Sequence, residues 1–257
     1  MRCIRHSTVI RNGSPRIWQR LLRTGSCNIL IGKLGSQTID DFDQELCLGN
    51  RHAKRSYVVY GNSFAAGAYL VFREAYPEII FSQLTIPGCR ILPTKRIANS
   101  DYAALFRAVL EDLKVLEQQA SVIVASNWAD PDFDEIEALI TTFKARGLDV
   151  VIVGQRIRFD TGLPAIMLSS LSKDQAWISA NVRLLAQQPR LNARLQKRFS
   201  TLAKFINMIG LQCPVDRDIF TEDNSIVYLD DAHPSIAGVA LVAHRLRAAY
   251  PDLFDNT

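Results

Sequence analysis

From Tyr57 onward the apolar residues fall into two alternating kinds of run. "SYVVYG", "EIIFSQLTI", "SVIVAS" and "LDVVIVG" are short and nearly continuous in apolar character. Runs of that length and composition predict strands buried on both faces. Between them the apolar positions recur with a helical period. "SFAAGAYLVFREAY" predicts a helix stopped before Pro77, and "NSDYAALFRAVLEDLKVLEQQ" a long amphipathic one capped by Asn99 or Ser100. "DPDFDEIEALITTFKARG" has Pro131 near its first turn, acids beside it, and Gly147 as its stop. "NARLQKRFSTLAKFINMIG" predicts a further helix, "LQCPVDR" a weak strand, and "PSIAGVALVAHRLRAAY" the last helix. Residues 1–55 are irregular. "SPRIWQRLLRTG" predicts a short helix ended by Gly25, and "GSQTIDDFDQELCLGN" a loop with one helical turn.

Strands alternating with amphipathic helices imply βαβ units and a parallel sheet covered on both faces. The expected architecture is an α/β fold, a three-layer α/β/α sandwich with a mainly parallel, doubly wound sheet. Residues 56–257 form this domain, preceded by an irregular basic extension over 1–55. In such sheets ligands bind beyond the carboxyl ends of the strands. Ser63, Gly88, Asn127 and the residues after Gly154 fall at those ends.

Composition narrows the picture. The chain has 257 residues, 48% of them hydrophobic, enough for one substantial core. The net charge of +4 is mild. Its early basic residues, from Arg2 to Arg23 and then Lys54 and Arg55, have no aromatics interleaved in a nucleic-acid pattern. They read as a solvated face or tether, and no nucleic-acid partner is expected. No apolar run reaches the roughly 18 residues that span a bilayer. The start "MRCIRHSTVIRNGS" has no apolar core of a signal peptide. Taken alone the chain reads as soluble and intracellular, unless it is one piece of a larger membrane protein. Five cysteines (Cys3, Cys27, Cys47, Cys89, Cys213) form no CxxC pair, and the histidines lack zinc spacing. Neither a metal nor a cofactor is expected. Gly-x-Gly-x-x-Gly and the Walker lysine are absent from "YGNSFAAG", which argues against a third reading as a nucleotide-binding α/β domain.

Two places carry candidate chemistry. Ser63 sits just after the first strand and opens the first helix, where backbone N–H groups favour negative charge. The same position also suits a plain capping serine in a βα turn. A serine nucleophile needs a base, and the base an orienting group. His6 and His52 lie in the irregular region, and His244 reads as a helix-surface residue. His233, in "VYLDDAHPSIAG", sits in the turn before the last helix, with Asp230 three residues earlier. That spacing can set a carboxylate against the imidazole Nδ1. Asp231 is the alternative orienter if the turn is wound differently.

Taken in order, Gly61-Asn62-Ser63 and Asp230-Asp231-Ala232-His233 resemble the Gly-Asp-Ser and Asp-x-x-His motifs of the SGNH (GDSL-type) hydrolase superfamily. Gly88 in "TIPGCRIL" and Asn127 in "VIVASNWAD" resemble its middle glycine and asparagine blocks. A narrower resemblance is to the C-terminal SGNH domain of membrane acyltransferases that O-acetylate bacterial polysaccharides. It rests on "FDQELCLGN", "PGCRILP", "ASNW", Cys213 and "YLDDAHPS", and covers about residues 27–250. Asn62 departs from the usual aspartate, Phe64 from a frequent histidine, and Pro234 from a common leucine.

The resemblance implies an SGNH/flavodoxin-like fold and serine-dependent acyl transfer, as a carbohydrate O-acetyltransferase or an acetyl esterase. Ser63 would be the nucleophile, His233 the base and Asp230 its orienter. The oxyanion hole would come from the Ser63 and Gly88 N–H groups and the Asn127 amide. The implied partners are an acylated carbohydrate or glycan substrate and a membrane acyltransferase, separate or fused. That would place the chain in the periplasm or cell envelope, and otherwise in the cytoplasm. A catalytically silent module that binds carbohydrate or a protein is the alternative. If the chain works outside the cytoplasm, a Cys27–Cys47 bridge is expected, with Cys89–Cys213 a weaker second and Cys3 free. The alternative is five reduced thiols.

Overall fold

The computed structural model describes residues 20–30, 36–37, 41–48, 56–88, 121–212, 219–221 and 224–255. The long helix expected from "NSDYAALF", the cysteines Cys3, Cys89 and Cys213, and most of "LQCPVDR" lie outside them. Five strands form one sheet in the order β2-β1-β3-β4-β5. They are β1 Ser56–Gly61, β2 Ile80–Thr85, β3 Ser121–Ala125, β4 Asp149–Val153 and β5 Lys204–Ile206, and every pairing is parallel. Numbered among the described residues, the helices are α1 Gln44–Leu48, α2 Ser63–Ala75, α3 Phe133–Lys144, α4 Leu163–Leu168, α5 Lys173–Val182, α6 Gln187–Phe199, α7 Met208–Gln212 and α8 Ile236–Ala249.

The sheet splits the core in two because successive strand side chains point to opposite faces. Tyr57, Val59, Ile123, Val151, Val153 and Ile206 pack against α2 and α8. Val58, Tyr60, Val122, Val124, Val150 and Ile152 pack against α3 and α6. This is the doubly wound, three-layer sandwich read from the sequence. A third cluster, built by Ile157, Phe159, Leu163, Ala176, Val227 and Tyr228, lies beyond the carboxyl ends of the strands. Its helices α4 and α5 have no counterpart in the sequence-based expectations.

Two expected elements change identity. Leu211 and Gln212, the start of the strand expected in "LQCPVDR", lie in helix α7. The helix predicted from "NARLQKRFSTLAKFINMIG" stops at Phe199, and Lys204–Ile206 becomes β5, with Val151 opposite Lys204 and Val153 opposite Ile206. The amphipathic pattern ends at Phe199, and the open edge of β4 supplies backbone partners that a helix there would leave unpaired.

The described part of the N-terminal segment docks on the other edge. Ile29 N–H donates to the Thr85 carbonyl at 3.1 Å, and Thr85 N–H to the Cys27 carbonyl at 3.2 Å. Cys27 and Cys47, 20 positions apart in sequence, form a disulfide with Cα atoms 5.2 Å apart. The bridge expected for an extracytoplasmic chain is thus formed. Among the described residues, no helix is long and apolar enough to cross a membrane.

Candidate active site

The chain runs from β1 to β2 on one side and from β3 to β4 on the other, so the switch point lies between the carboxyl ends of β1 and β3. That crevice is where a sheet of this order binds ligands. The two ends come very close. A Cβ on Gly61 would stand 1.8 Å from the Ala125 carbonyl oxygen, so glycine is required there. The next residue, Asn62, ties the crevice together. Its Oδ1 accepts the Phe64 N–H at 2.9 Å and caps α2, while its Nδ2 donates to the Ser126 hydroxyl at 2.9 Å. Ser63 follows as the first residue of α2 and is half-buried. Its hydroxyl therefore stands where the helix N-terminus favours developing negative charge.

The second half is a turn wound tightly on itself. Asp230 Oδ1 accepts the N–H groups of Ala232 at 2.8 Å and His233 at 2.7 Å, which curls the chain back. Its other oxygen, Oδ2, lies 2.8 Å from His233 Nδ1. Burial works to raise the Asp230 pKa. The hydrogen bond and charge of His233, with the two backbone N–H groups, outweigh burial and bring it from 3.8 to about 2. The carboxylate is thus an acceptor that holds a proton on Nδ1 and leaves Nε2 as the basic nitrogen. Nε2 is buried and, among the described residues, has no hydrogen-bond partner. The imidazole packs edge-on to the ring of Phe64, the residue after Ser63, with centroids 5.6 Å apart. Ser235 caps α8 just behind, accepting the Gly238 N–H at 3.0 Å.

Four further residues named by the sequence take these places. Gly88 lies exposed on the loop after β2, in the left-handed region at φ +74°, and Ile86 N–H ties that loop to the Gly61 carbonyl at 2.9 Å. Asn127 is exposed at the end of β3, between buried Ser126 and buried Trp128. Trp128 pins this loop, its Nε1–H donating to the Val153 carbonyl at 2.8 Å. Asp231 does not orient the histidine. Its Oδ2 pairs with Arg158 Nη2 at 2.8 Å, because Asp230 already fills the inside of the turn. His244 is exposed on α8, as expected.

Sequence reasoning placed the residues after Gly154 at the ligand-binding edge but gave them no part in supporting the turn. Phe159 N–H donates to the Asp231 carbonyl at 2.9 Å and Leu163 N–H to the Asp230 carbonyl at 3.1 Å. Arg156 lies fully inside, its Nη2 donating to the Phe64 carbonyl. The available signal was two arginines and a glutamine placed directly after a buried strand, at the ligand-binding edge. Among the described residues, no group of three His, Cys, Asp or Glu side chains could hold a metal ion.

Comparison with known proteins decides the family. The model of the SGNH domain that occurs fused to AT3 domains matches residues 33–248. The chain belongs to the SGNH domain family. The fold of this SGNH domain is similar to the lipopolysaccharide acetyltransferase periplasmic domain of Salmonella ser. Paratyphi A. The TM-score is 0.74 at 14% identity, covering 96% of this chain and 98% of that one. It is also similar to TesA, with a TM-score of 0.41 at 12% identity over 78% and 100% of the two chains. Among curated proteins, none matches the sequence.

Proposed function

We propose that this SGNH domain carries out serine-dependent acyl transfer through an acyl-Ser63, as a carbohydrate O-acetyltransferase or an acetyl esterase. The observation that carries the reading is the Asp230–His233 pair at 2.8 Å, with Nε2 free of a hydrogen-bond partner among the described residues, on the same sheet edge as Ser63. His233 Nε2 takes the Ser63 Oγ proton as Oγ attacks the acyl carbonyl. Asp230 stabilises the imidazolium that forms. The tetrahedral oxyanion is received by the N–H groups of Ser63 and Gly88 and the Asn127 side-chain amide. His233 then gives its proton to the departing alcohol, leaving acyl-Ser63. Water, or a sugar hydroxyl, completes the cycle by the same steps reversed.

The family's fusion to AT3 domains supports a membrane acyltransferase, covalently joined or separate, as the source of the acyl group. The buried Cys27–Cys47 bridge supports an oxidising compartment, the periplasm or cell envelope. An acylated carbohydrate is the substrate class this combination favours. Turnover of a chromogenic acetyl ester tests the reading. Removing a triad member typically costs several orders of magnitude. Ser63→Ala and His233→Ala should each abolish turnover with the fold intact. Retention of more than about a tenth of wild-type activity by folded Ser63→Ala would overturn it.

A further inference from the structure

Arg156 lies in the segment directly after β4 and is only 2% exposed. Withdrawing a guanidinium from water is costly unless a carboxylate or a full set of acceptors replaces the solvent. Among the described residues, no carboxylate forms an ion pair with it. Nη2 donates to the Phe64 carbonyl, Nη1 has no hydrogen-bond partner among the described residues, and the guanidinium carbon lies 5.2 Å from the centre of the Phe64 ring. Burial lowers its pKa to about 10, against the opposing pull of Tyr228 and Asp230.

Helix α2 makes room for this group. A Cβ on Gly67 would stand 2.7 Å from Nη1 and closer than ordinary contact to Nη2, at 3.3 Å. A glycine inside a helix itself costs about 1 kcal/mol relative to alanine. An alanine at 67 with an apolar side chain at 156 would avoid both costs. Two local rules broken at one point, beside a candidate active site, indicate a functional demand.

The demand is visible in what Phe64 touches. Its N–H is held by Asn62 Oδ1, its carbonyl by Arg156, and its ring lies against His233. Phe64 directly follows Ser63, so the residue between nucleophile and base is clamped at both ends of its backbone. We propose that Arg156 is a positioning residue that fixes the first turn of α2 through Phe64 and so sets Ser63 Oγ against His233 Nε2. This rests on the roles given above to Ser63 and His233.

A misplacement of about 1 Å can cost roughly 10²-fold in rate. Steady-state kinetics on the acetyl ester, with thermal unfolding in parallel, should show Arg156→Met lowering kcat by about 10–100-fold with little change in KM. Arg156→Lys, which keeps the charge and a donor nitrogen, should recover part of that loss. Gly67→Ala should lower kcat in the wild-type chain, because its Cβ displaces the guanidinium, yet have no further effect in Arg156→Met. Wild-type kcat in folded Arg156→Met overturns the proposal. So does a Gly67→Ala effect that is the same with and without the arginine. If Arg156→Met does not fold, Arg156→Lys and Gly67→Ala decide, and wild-type kcat in both overturns it. Wild-type protein with no Ser63-dependent turnover would instead remove the acyl-transfer reading itself.

Discussion

Replacing Asn62 isolates the contacts that hold the start of α2 over the crevice. In Asn62→Ala the Phe64 N–H loses its side-chain acceptor at 2.9 Å, and the Ser126 hydroxyl loses its donor at 2.9 Å. Loss of a helix cap costs about 1 kcal/mol. Leaving a buried hydroxyl without its partner costs roughly 1–3 kcal/mol, and Ser126 is buried. The sum is about 2–4 kcal/mol, or a Tm lower by roughly 4–16 °C for a domain of this size. Asn62→Asp restores the residue common in the family. Its carboxylate still accepts the Phe64 N–H, and the Ser126 hydroxyl can rotate to donate to it. An anion at a helix N-terminus is favoured by about 0.3–1 kcal/mol, which offsets its burial. Asn62→Asp should therefore lie within about 1 kcal/mol of wild type, and equilibrium urea unfolding with the disulfide intact measures both. An Asn62→Ala protein within about 0.5 kcal/mol of wild type would refute the reasoning, as would Asn62→Asp losing as much as Asn62→Ala.

Three other outcomes are expected. Removing the Cys27–Cys47 bridge, which closes a loop of 20 positions, should destabilise the chain by about 3 kcal/mol, read as a urea midpoint shift between wild type and the double serine variant. The Asp230 pKa is depressed when folded, so its stabilisation is fully present above pH 3.8, the unfolded value, and is lost as pH falls through about 2. Thermal unfolding between those limits should show a pH slope that is reduced in Asp230→Asn. Asn127→Ala should lower kcat on the acetyl ester by about 10²–10³-fold if its amide is an oxyanion donor, and an unchanged kcat would return Asn127 to a turn residue.

What the sequence made legible was local. "YVVYGNS" reads as a buried strand running into a helix start because both signals lie within a few residues. Asp230 and His233 could be paired on paper because the turn that joins them spans three positions. The choice between Asp230 and Asp231 was not legible. It rests on the winding of the turn, which puts Asp230 inside, and on Arg158, 73 positions away, which pairs with Asp231. Arg156 was hidden for the same reason, since its burial is decided by a carbonyl 92 positions earlier and by the notch at Gly67. Lys204–Ile206 was misread because a three-residue strand has no period of its own and exists by pairing with β4. Gly61 could be seen as a turn residue. The 1.8 Å approach to Ala125 that makes it indispensable is a property of two strands brought together by the fold.

The most direct test of the account is the covalent intermediate. Wild-type protein turning over an activated acetyl ester is quenched in acid, digested, and its peptides are mapped by mass spectrometry. An acetyl group is expected on Ser63, absent from Ser63→Ala and displaced on adding an acceptor alcohol. Turnover with the acetyl group on another residue, or with Ser63 unmodified under conditions that trap acyl-serine in a control esterase, would contradict it.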